Sequence, residues 1–247
     1  QGRDAAAFLN HVYANGVAKL PIGKTRYGLM LREDGMVMDD GTTARLGETH
    51  YVMTTTTANA VGVFRHLEFC RQCLWPELDV QLISITEQYA QYAVAGPNAR
   101  RLLEKLIDSG EDISNEAFPF MACGEISICG GVKARLFRIS FSGELAFEIA
   151  VPSRYGDSMI RTLMATGEEF GVTPYGTEAL GVMRIEKGHV AGNEINGQTA
   201  ARQMGLDRMV SQSKDCIGAV LSRRPELVRD DNYELIGLKP VDADQPL

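Results

Sequence analysis

The tightest constraint on what this chain can fold into is that it resembles itself. QGRDAAAFLNHVYANG at 1–16 matches VAGPNARRLLEKLIDSG at 94–110, with Gly2 falling on Gly96, Asp4 on Asn98, Ala5 on Ala99, Leu9 on Leu103, Val12 on Leu106 and Gly16 on Gly110. Both copies carry apolar residues at helical spacing, an Asp or Asn where an N-cap belongs, and a glycine where the helix is expected to close. Downstream, ETHYVMTTTT followed by ANAVGVFRHLEF aligns with LAFEIAVP followed by RYGDSMIRTLMA, a strand pattern leading into a helical one each time. Two units of about 95 residues, too long for solenoid repeats, are therefore expected. Each is predicted to run helix, β-hairpin, strand, helix, strand, which makes an α+β fold of antiparallel sheets carrying helices on one face.

The hairpins hold the first candidate chemistry. GLMLREDGMVMDDGTTARL at 28–46 places Glu33-Asp34-Gly35 as a turn and Asp39-Asp40-Gly41 as a break in the returning arm. GGVKARLFRISFSGELAFEIAVP at 130–152 repeats the arrangement with Ser142-Gly143-Glu144 as its turn. Consecutive strand residues face opposite sides, so one of Asp39 and Asp40 points inward while the other stays solvated. A half-buried carboxylate can accept a proton or stabilise a cation, gaining ~4 kcal/mol at about 4 Å from a unit charge when the effective dielectric is near 20. The same three residues also read as an ordinary turn. Glu148 stands in the apolar run LAFEIAV and shares its face with the small Ala146 and Ala150, which suits a ligand presenting adjacent N–H donors. A solvent-facing strand acid is the plainer reading.

Composition narrows the remaining classes. At 247 residues with 45% hydrophobic and 23% charged side chains, the chain can bury a core without disulfide or metal staples. Thirty-two acids against twenty-five bases give a net charge of −7 with no basic cluster, which disfavours a nucleic-acid partner. Apolar runs fall short of the ~20 residues needed to cross a bilayer, and no leader-like segment opens the chain, so neither a membrane partner nor export is expected. Five cysteines, an odd number, favour a reducing compartment and a cytoplasmic location. His66, Cys70 and Cys73 in FRHLEFCRQCLW would share a helix face, either as three metal ligands or as an apolar stripe with Leu67 and Leu74. No second Cys/His pair completes a structural zinc site. The start at Gln1 without methionine, and the strand-like YELIGLKPVDADQPL after Tyr233, read as the ends of a piece of a longer polypeptide.

YGTEALGVMRIEKGHVAGNEINGQTA at 175–200 opens with Thr177 as a possible cap, turns Leu180, Met183 and Ile185 inward, and ends its helix at Gly188. Arg184, Glu186 and Lys187 fit a surface. Gly192-Asn193-Glu194 reads as a tight turn. No G-x-G-x-x-G, Walker loop, G-x-S-x-G or H-E-x-x-H occurs, so flavin, nicotinamide, ATP and hydrolytic zinc lose their usual support in sequence.

Taken in order, GRDAAAFLN, EDGMVMDD, SFSGELAFEI and GTEALGVMRIEKGHVAGNEI followed by GQTA resemble the aminomethyltransferase (glycine-cleavage T-protein) superfamily of folate-binding proteins. The long run at 176–200, with GLDRMVS and LIGLKPVD after it, is more narrowly similar to the C-terminal half of the alpha subunits of heterotetrameric bacterial sarcosine oxidases. The resemblance implies a first α+β unit over 1–88, a second over 89–230, and the start of a truncated C-terminal β-barrel over 231–247. It implies that Asp40 faces the reactive end of tetrahydrofolate and acts catalytically, that Glu148 binds the pterin, that Phe141 stands beside the folate where Tyr is usual, and that Arg184 stands in for a pterin-side arginine. The implied reaction passes the methylene iminium of oxidised sarcosine to tetrahydrofolate, giving glycine and 5,10-methylenetetrahydrofolate. FAD, FMN and NAD are implied for the whole oxidoreductase, whose flavoprotein and other subunits are the implied partners, and not for this chain, which would not oxidise sarcosine alone. A stand-alone aminomethyltransferase and a non-catalytic folate-binding scaffold remain the alternatives. An iron–sulfur assembly factor would need a K-G-C-Y-x-G-Q-E motif, and Lys187-Gly188-His189-Val190-Ala191-Gly192-Asn193-Glu194 lacks its cysteine.

Overall fold

Helix α1 (Ala5–Val12) forms because Ala5, Phe8, Leu9 and Val12 recur at helical spacing, and all four are buried in the computed structural model, which describes residues 1–242. Asp4 holds the N-cap position, but its Oδ2 accepts from the Asp79 N–H at 3.0 Å rather than from its own helix. The helix also closes earlier than Gly16. Tyr13 turns into extended backbone while its N–H still reaches the Leu9 carbonyl, so no left-handed glycine is required. Helix α3 (Ala99–Glu104) likewise ends at Lys105 rather than Gly110.

Strands β1 (Lys24–Leu31), β2 (Val37–Arg45) and β3 (Tyr51–Met53) form an antiparallel sheet, and helix α2 (Ala60–Phe69) follows it. After β4 (Tyr89–Ala95) and α3, strands β5 (Cys123–Ile128), β6 (Val132–Phe137) and β7 (Ala146–Pro152) lead into helix α4 (Gly156–Gly167). The internal echo is thus real at the level of elements: helix, three-stranded meander, helix, twice. It breaks at one strand. β4, which follows α2 and opens the 89–230 stretch, joins the second sheet beside β7 in the order β4-β7-β6-β5, and no matching strand follows α4 among the described residues. The second unit packs α3 and α4 over β7 around Phe147, Ile149, Leu103 and Leu163, while the first packs α1 and α2 around Phe8, Val12, Val63 and Leu67.

The expected break at Asp39-Asp40-Gly41 does not occur. β2 runs unbroken through all three, with Met30 opposite Asp39, Leu29 opposite Asp40 and Gly28 opposite Gly41, and the register irregularity falls between Met30 and Leu31 instead. Gly41 is there for close approach. A Cβ at that position would lie 2.1 Å from the Thr54 carbonyl oxygen, so the strand and the 54–57 segment could not meet. The second hairpin has β6 and β7 as its arms, joined by residues 138–145 around Ser142-Gly143-Glu144.

After α4 the chain returns to the first sheet. Helix α5 (Thr177–Lys187) ends at the left-handed Gly188, as expected, but buries none of its residues. Leu180 and Met183 are half-buried, whereas Ile185 is 64% exposed, correcting its inward assignment. Five residues past Leu180, a helical position is rotated by about 140° and faces away. Beyond α5, Val190, Ala201, Met204 and Val210 pack on Ala14, Leu29, Leu31 and Val37. Lys214 clamps this segment to the C-terminal end of α1, its ammonium donating to the carbonyls of Asn10, Tyr13 and Asn15. Lys214→Met keeps the stem and removes all three bonds, and we expect it to cost about 2–4 kcal/mol, read as a lowered urea midpoint with unchanged slope.

The strand expected after Tyr233 does not form over 233–242. No partner strand lies beside it among the described residues, and a backbone bond runs from the Leu235 N–H to the Gln203 carbonyl at 2.7 Å. Residues 243–247 of that expectation lie outside the described residues. α2 continues into a π-helical turn, Cys70–Leu74, with His66 Nε2 3.6 Å from Cys70 Sγ, Cys70 buried and Cys73 exposed. Among the described residues no group of three or more His, Cys, Asp or Glu could hold a metal ion, and no helix is long and apolar enough to cross a membrane.

Candidate functional site

A cleft of about 850 Å3 opens between the two sheets, walled by Tyr27, Asp40 and Thr42 on one side and by β4 and β7 on the other. Strand alternation decides which residues reach it. On β4 they are Tyr89, Gln91, Ala93 and Ala95, and on β7 they are Ala146, Glu148 and Ala150, so alanines flank one amide and one carboxylate, with a tyrosine at the start of β4. The alternate β7 residues Phe147, Ile149 and Val151 point into the core.

The two hairpin acids separate as their alternation requires. Asp39 is 1% exposed, accepting from the Thr56 N–H at 3.2 Å and from Asn59 Nδ2 at 3.3 Å, and burial pushes its carboxyl above the usual range. Asp40 faces the cleft. Its Oδ2 accepts from the Tyr27 hydroxyl at 2.7 Å and its Oδ1 from Thr56 Oγ1 at 3.3 Å. Thr56 therefore bridges the pair, through its backbone to one acid and its hydroxyl to the other. Burial, and then the Asp40 charge, hold the Tyr27 hydroxyl firmly protonated.

Glu148 accepts from Gln91 Nε2 through one oxygen, and its other oxygen has no protein donor among the described residues. Burial raises its pKa and the Gln91 bond only partly opposes this. A carboxyl raised in the folded state weighs against folding above its folded pKa and ceases to do so below its unfolded value near 4.5. We therefore expect Glu148→Gln to raise the melting temperature at pH 7 relative to wild type, the gain disappearing on titration below pH 4.5. An equal difference at both pH values would remove burial as its cause.

Phe141 lies on the β6–β7 connection and lines the cleft, its ring edge-on to His189 at 4.9 Å between centroids. The Lys187 ammonium donates to the Ser140 carbonyl, tying that connection to α5. Arg184 does not line the cleft. It pairs with Glu194 at 2.8 Å and donates to the His189 carbonyl at 3.2 Å, and Glu194 also accepts from the Ala191 N–H at 2.8 Å. Its visible work is to hold the 189–194 loop, whose His189 and Gly192 do line the cleft.

Of the four residues singled out from sequence, Asp40, Glu148 and Phe141 meet in one cavity. Tyr27, Thr56, Gln91 and His189 line the same cleft without a sequence motif that marks them for it. Tyr27 was within reach: pairing β1 and β2 about the Asp34-Gly35 turn puts it opposite Thr42, diagonal to Asp40. Gln91 was not, since its place beside Glu148 depends on β4 pairing with β7, distant in the chain. Chemically, an anion steadied by two hydroxyl donors faces a second carboxylate with an unused oxygen, beside aromatic rings. This suits a flat heterocycle with an N–H edge and a reactive amine.

The family described as the GCVT N-terminal domain matches residues 1–214. The chain is 56% identical over 246 residues to "Sarcosine oxidase subunit alpha" of Rhizobium meliloti (strain 1021), covering 99% of this chain and 25% of that protein. It is 31% identical over 250 residues to "Aminomethyltransferase" of Geobacillus sp. (strain WCH70), covering 100% of this chain and 66% of that one. The crystal structure of glycine cleavage system aminomethyltransferase T from Bartonella henselae superposes with a TM-score of 0.77 at 26% identity, over 90% of this chain and 58% of that one. The chain thus spans about a quarter of the length of the alpha subunit it matches.

Proposed function

From the premise that this chain belongs to the GCVT N-terminal domain family, we propose that its cleft binds tetrahydrofolate and transfers to it the one-carbon unit of oxidised sarcosine, yielding 5,10-methylenetetrahydrofolate and glycine. The observation that carries this reading is the convergence of Asp40 and Glu148, one from each unit, on a single cavity. Glu148 receives the N–H edge of the pterin, its unused oxygen supplying the acceptor, and the alanines flanking it leave room for a flat ring. Phe141 packs beside the folate. Asp40 faces the reactive amine, stabilises the incoming methylene iminium and accepts the proton released as the amine attacks. Holding amine and electrophile together supplies most of the gain, because it replaces a dilute encounter with a high effective concentration. Arg184 acts on the ligand only through the 189–194 loop that it braces.

The oxidant lies elsewhere. The iminium would be supplied by oxidation of sarcosine at a flavin held by another part of a hetero-oligomer, and FAD, FMN and NAD would belong to that complex rather than to the residues described. We take the chain as a cytoplasmic oxidoreductase piece with its first α+β unit over 1–88, its second over 89–230, and 231–247 leading into a barrel. The higher identity to the sarcosine oxidase subunit than to the aminomethyltransferase supports the oxidase setting over a free transferase. Calorimetric titration with tetrahydrofolate tests the reading. Saturable one-to-one binding is expected, and a folded protein that takes up no heat of binding would leave only a scaffold. Hydrogen peroxide from this chain and sarcosine alone would overturn the division of labour.

A further inference from the structure

The proposed transfer conserves protons internally. A first folate nitrogen attacks the iminium carbon with its lone pair, the C=N pair collapses onto the glycine nitrogen, and the folate nitrogen sheds one proton. The glycine nitrogen takes a proton and departs with the C–N electron pair. The second folate nitrogen then bonds to the carbon and sheds its own proton, which ends on the departed amine. Two protons cross from folate to glycine, none is released to solvent, and no oxidant enters these steps. Asp40 faces this traffic with both oxygens already accepting hydrogen bonds, from Tyr27 and Thr56.

A second proton-handling group lines the same cavity. His189 follows Gly188, whose φ of 76° ends α5, and its N–H donates to the Arg184 carbonyl at 2.8 Å. Its ring is held between two aromatic neighbours, with centroids 5.4 Å from Tyr27 and 4.9 Å from Phe141. It thus packs against the hydroxyl-bearing residue that bonds Asp40. Imidazole can take a proton on one nitrogen and release one from the other, which a carboxylate serving two fixed donors does less readily. The titratable and charged groups around it are Asp40 on β2, Tyr27 on β1, and Lys187 and Arg184 on α5. Burial, Lys187 and Arg184 lower its pKa, while Asp40 opposes them, so at neutral pH the ring is the neutral, proton-accepting form.

We propose that His189 is the second proton carrier of the transfer, taking a proton from one folate nitrogen and returning it to the glycine amine while Asp40 handles the other. This rests on the methylene-transfer reading. The test uses the complete hetero-oligomeric enzyme that contains this chain, turning over sarcosine with saturating tetrahydrofolate, and follows the rate of 5,10-methylenetetrahydrofolate formation against free formaldehyde. His189→Gln and His189→Phe should bind tetrahydrofolate within about threefold of wild type, form methylenetetrahydrofolate about 10²-fold more slowly, and release the difference as formaldehyde. In the wild type the transfer rate should fall on the acid side, below the usual imidazole value of 6.5. Transfer by His189→Gln at the wild-type rate, or a wild-type profile without that acid limb, would overturn the proton role while leaving the folate reading intact. A wild-type enzyme that binds tetrahydrofolate yet never forms the methylene product would sink both.

Discussion

Asp40→Asn is expected to slow methylenetetrahydrofolate formation by about 10²-fold or more while folate still binds, with the lost carbon appearing as formaldehyde. The side chain keeps its size, so the cleft keeps its shape and Gly41 can still meet Thr54. What changes is charge and capacity to accept a proton. An amide cannot stabilise a cationic methylene iminium as a carboxylate does, and it cannot take the proton that the attacking amine must lose. Its NH2 would also point a donor at either the Tyr27 hydroxyl or Thr56 Oγ1, both of which now donate to Asp40. The Tyr27 hydroxyl can turn its proton away, so folding should survive. Because attack and proton removal belong to the transition state more than to the bound complex, the loss should fall on the rate and not on affinity. Transfer within threefold of wild type would remove Asp40 from the chemistry.

The second large effect is on binding. Glu148→Ala should weaken tetrahydrofolate by about 10- to 10²-fold in calorimetry, since a charge-assisted hydrogen bond contributes about 1.5–3 kcal/mol and each 1.4 kcal/mol is tenfold in affinity. The substitution leaves Gln91 without its acceptor in the same wall, but that amide can turn to water in an open cleft. Glu148→Gln should fall between the two, because its oxygen still accepts one N–H while its NH2 opposes the neighbouring donor. The same substitution is expected to make the free protein more stable at neutral pH. A residue that lowers stability and raises affinity is one held for its ligand. Unchanged affinity in both variants would take Glu148 out of the site.

Much of the fold is legible in the sequence, and what is not has identifiable physical causes. The echo between 1–16 and 94–110 carried the order of elements because helical spacing is a local pattern, and the Ala146, Glu148, Ala150 face followed from strand alternation alone. Asp39-Asp40-Gly41 resembles a break because two acids before a glycine are locally a turn, yet β2 is continuous through it. The partners that keep them in a strand, Thr56, Asn59 and Tyr27, lie twelve or more positions away in the chain. Partner choice by β4 is equally non-local, and with it went Gln91. The apolar character of Ile185 suggests an inward face, although its helical position turns it from Leu180 and leaves it exposed. The likeness of Arg184 to a ligand-binding arginine is one of position in the sequence, while the structure engages its guanidinium with Glu194.

A crystal structure with tetrahydrofolate bound would decide most directly whether the two units were brought together to grip one ligand. The expected density has the pterin edge within hydrogen-bond distance of the Glu148 carboxylate and the reactive nitrogens turned toward Asp40, with Phe141 against the ring. Folate lodged outside this cleft, or lying in it with neither carboxylate in contact, would contradict the central claim.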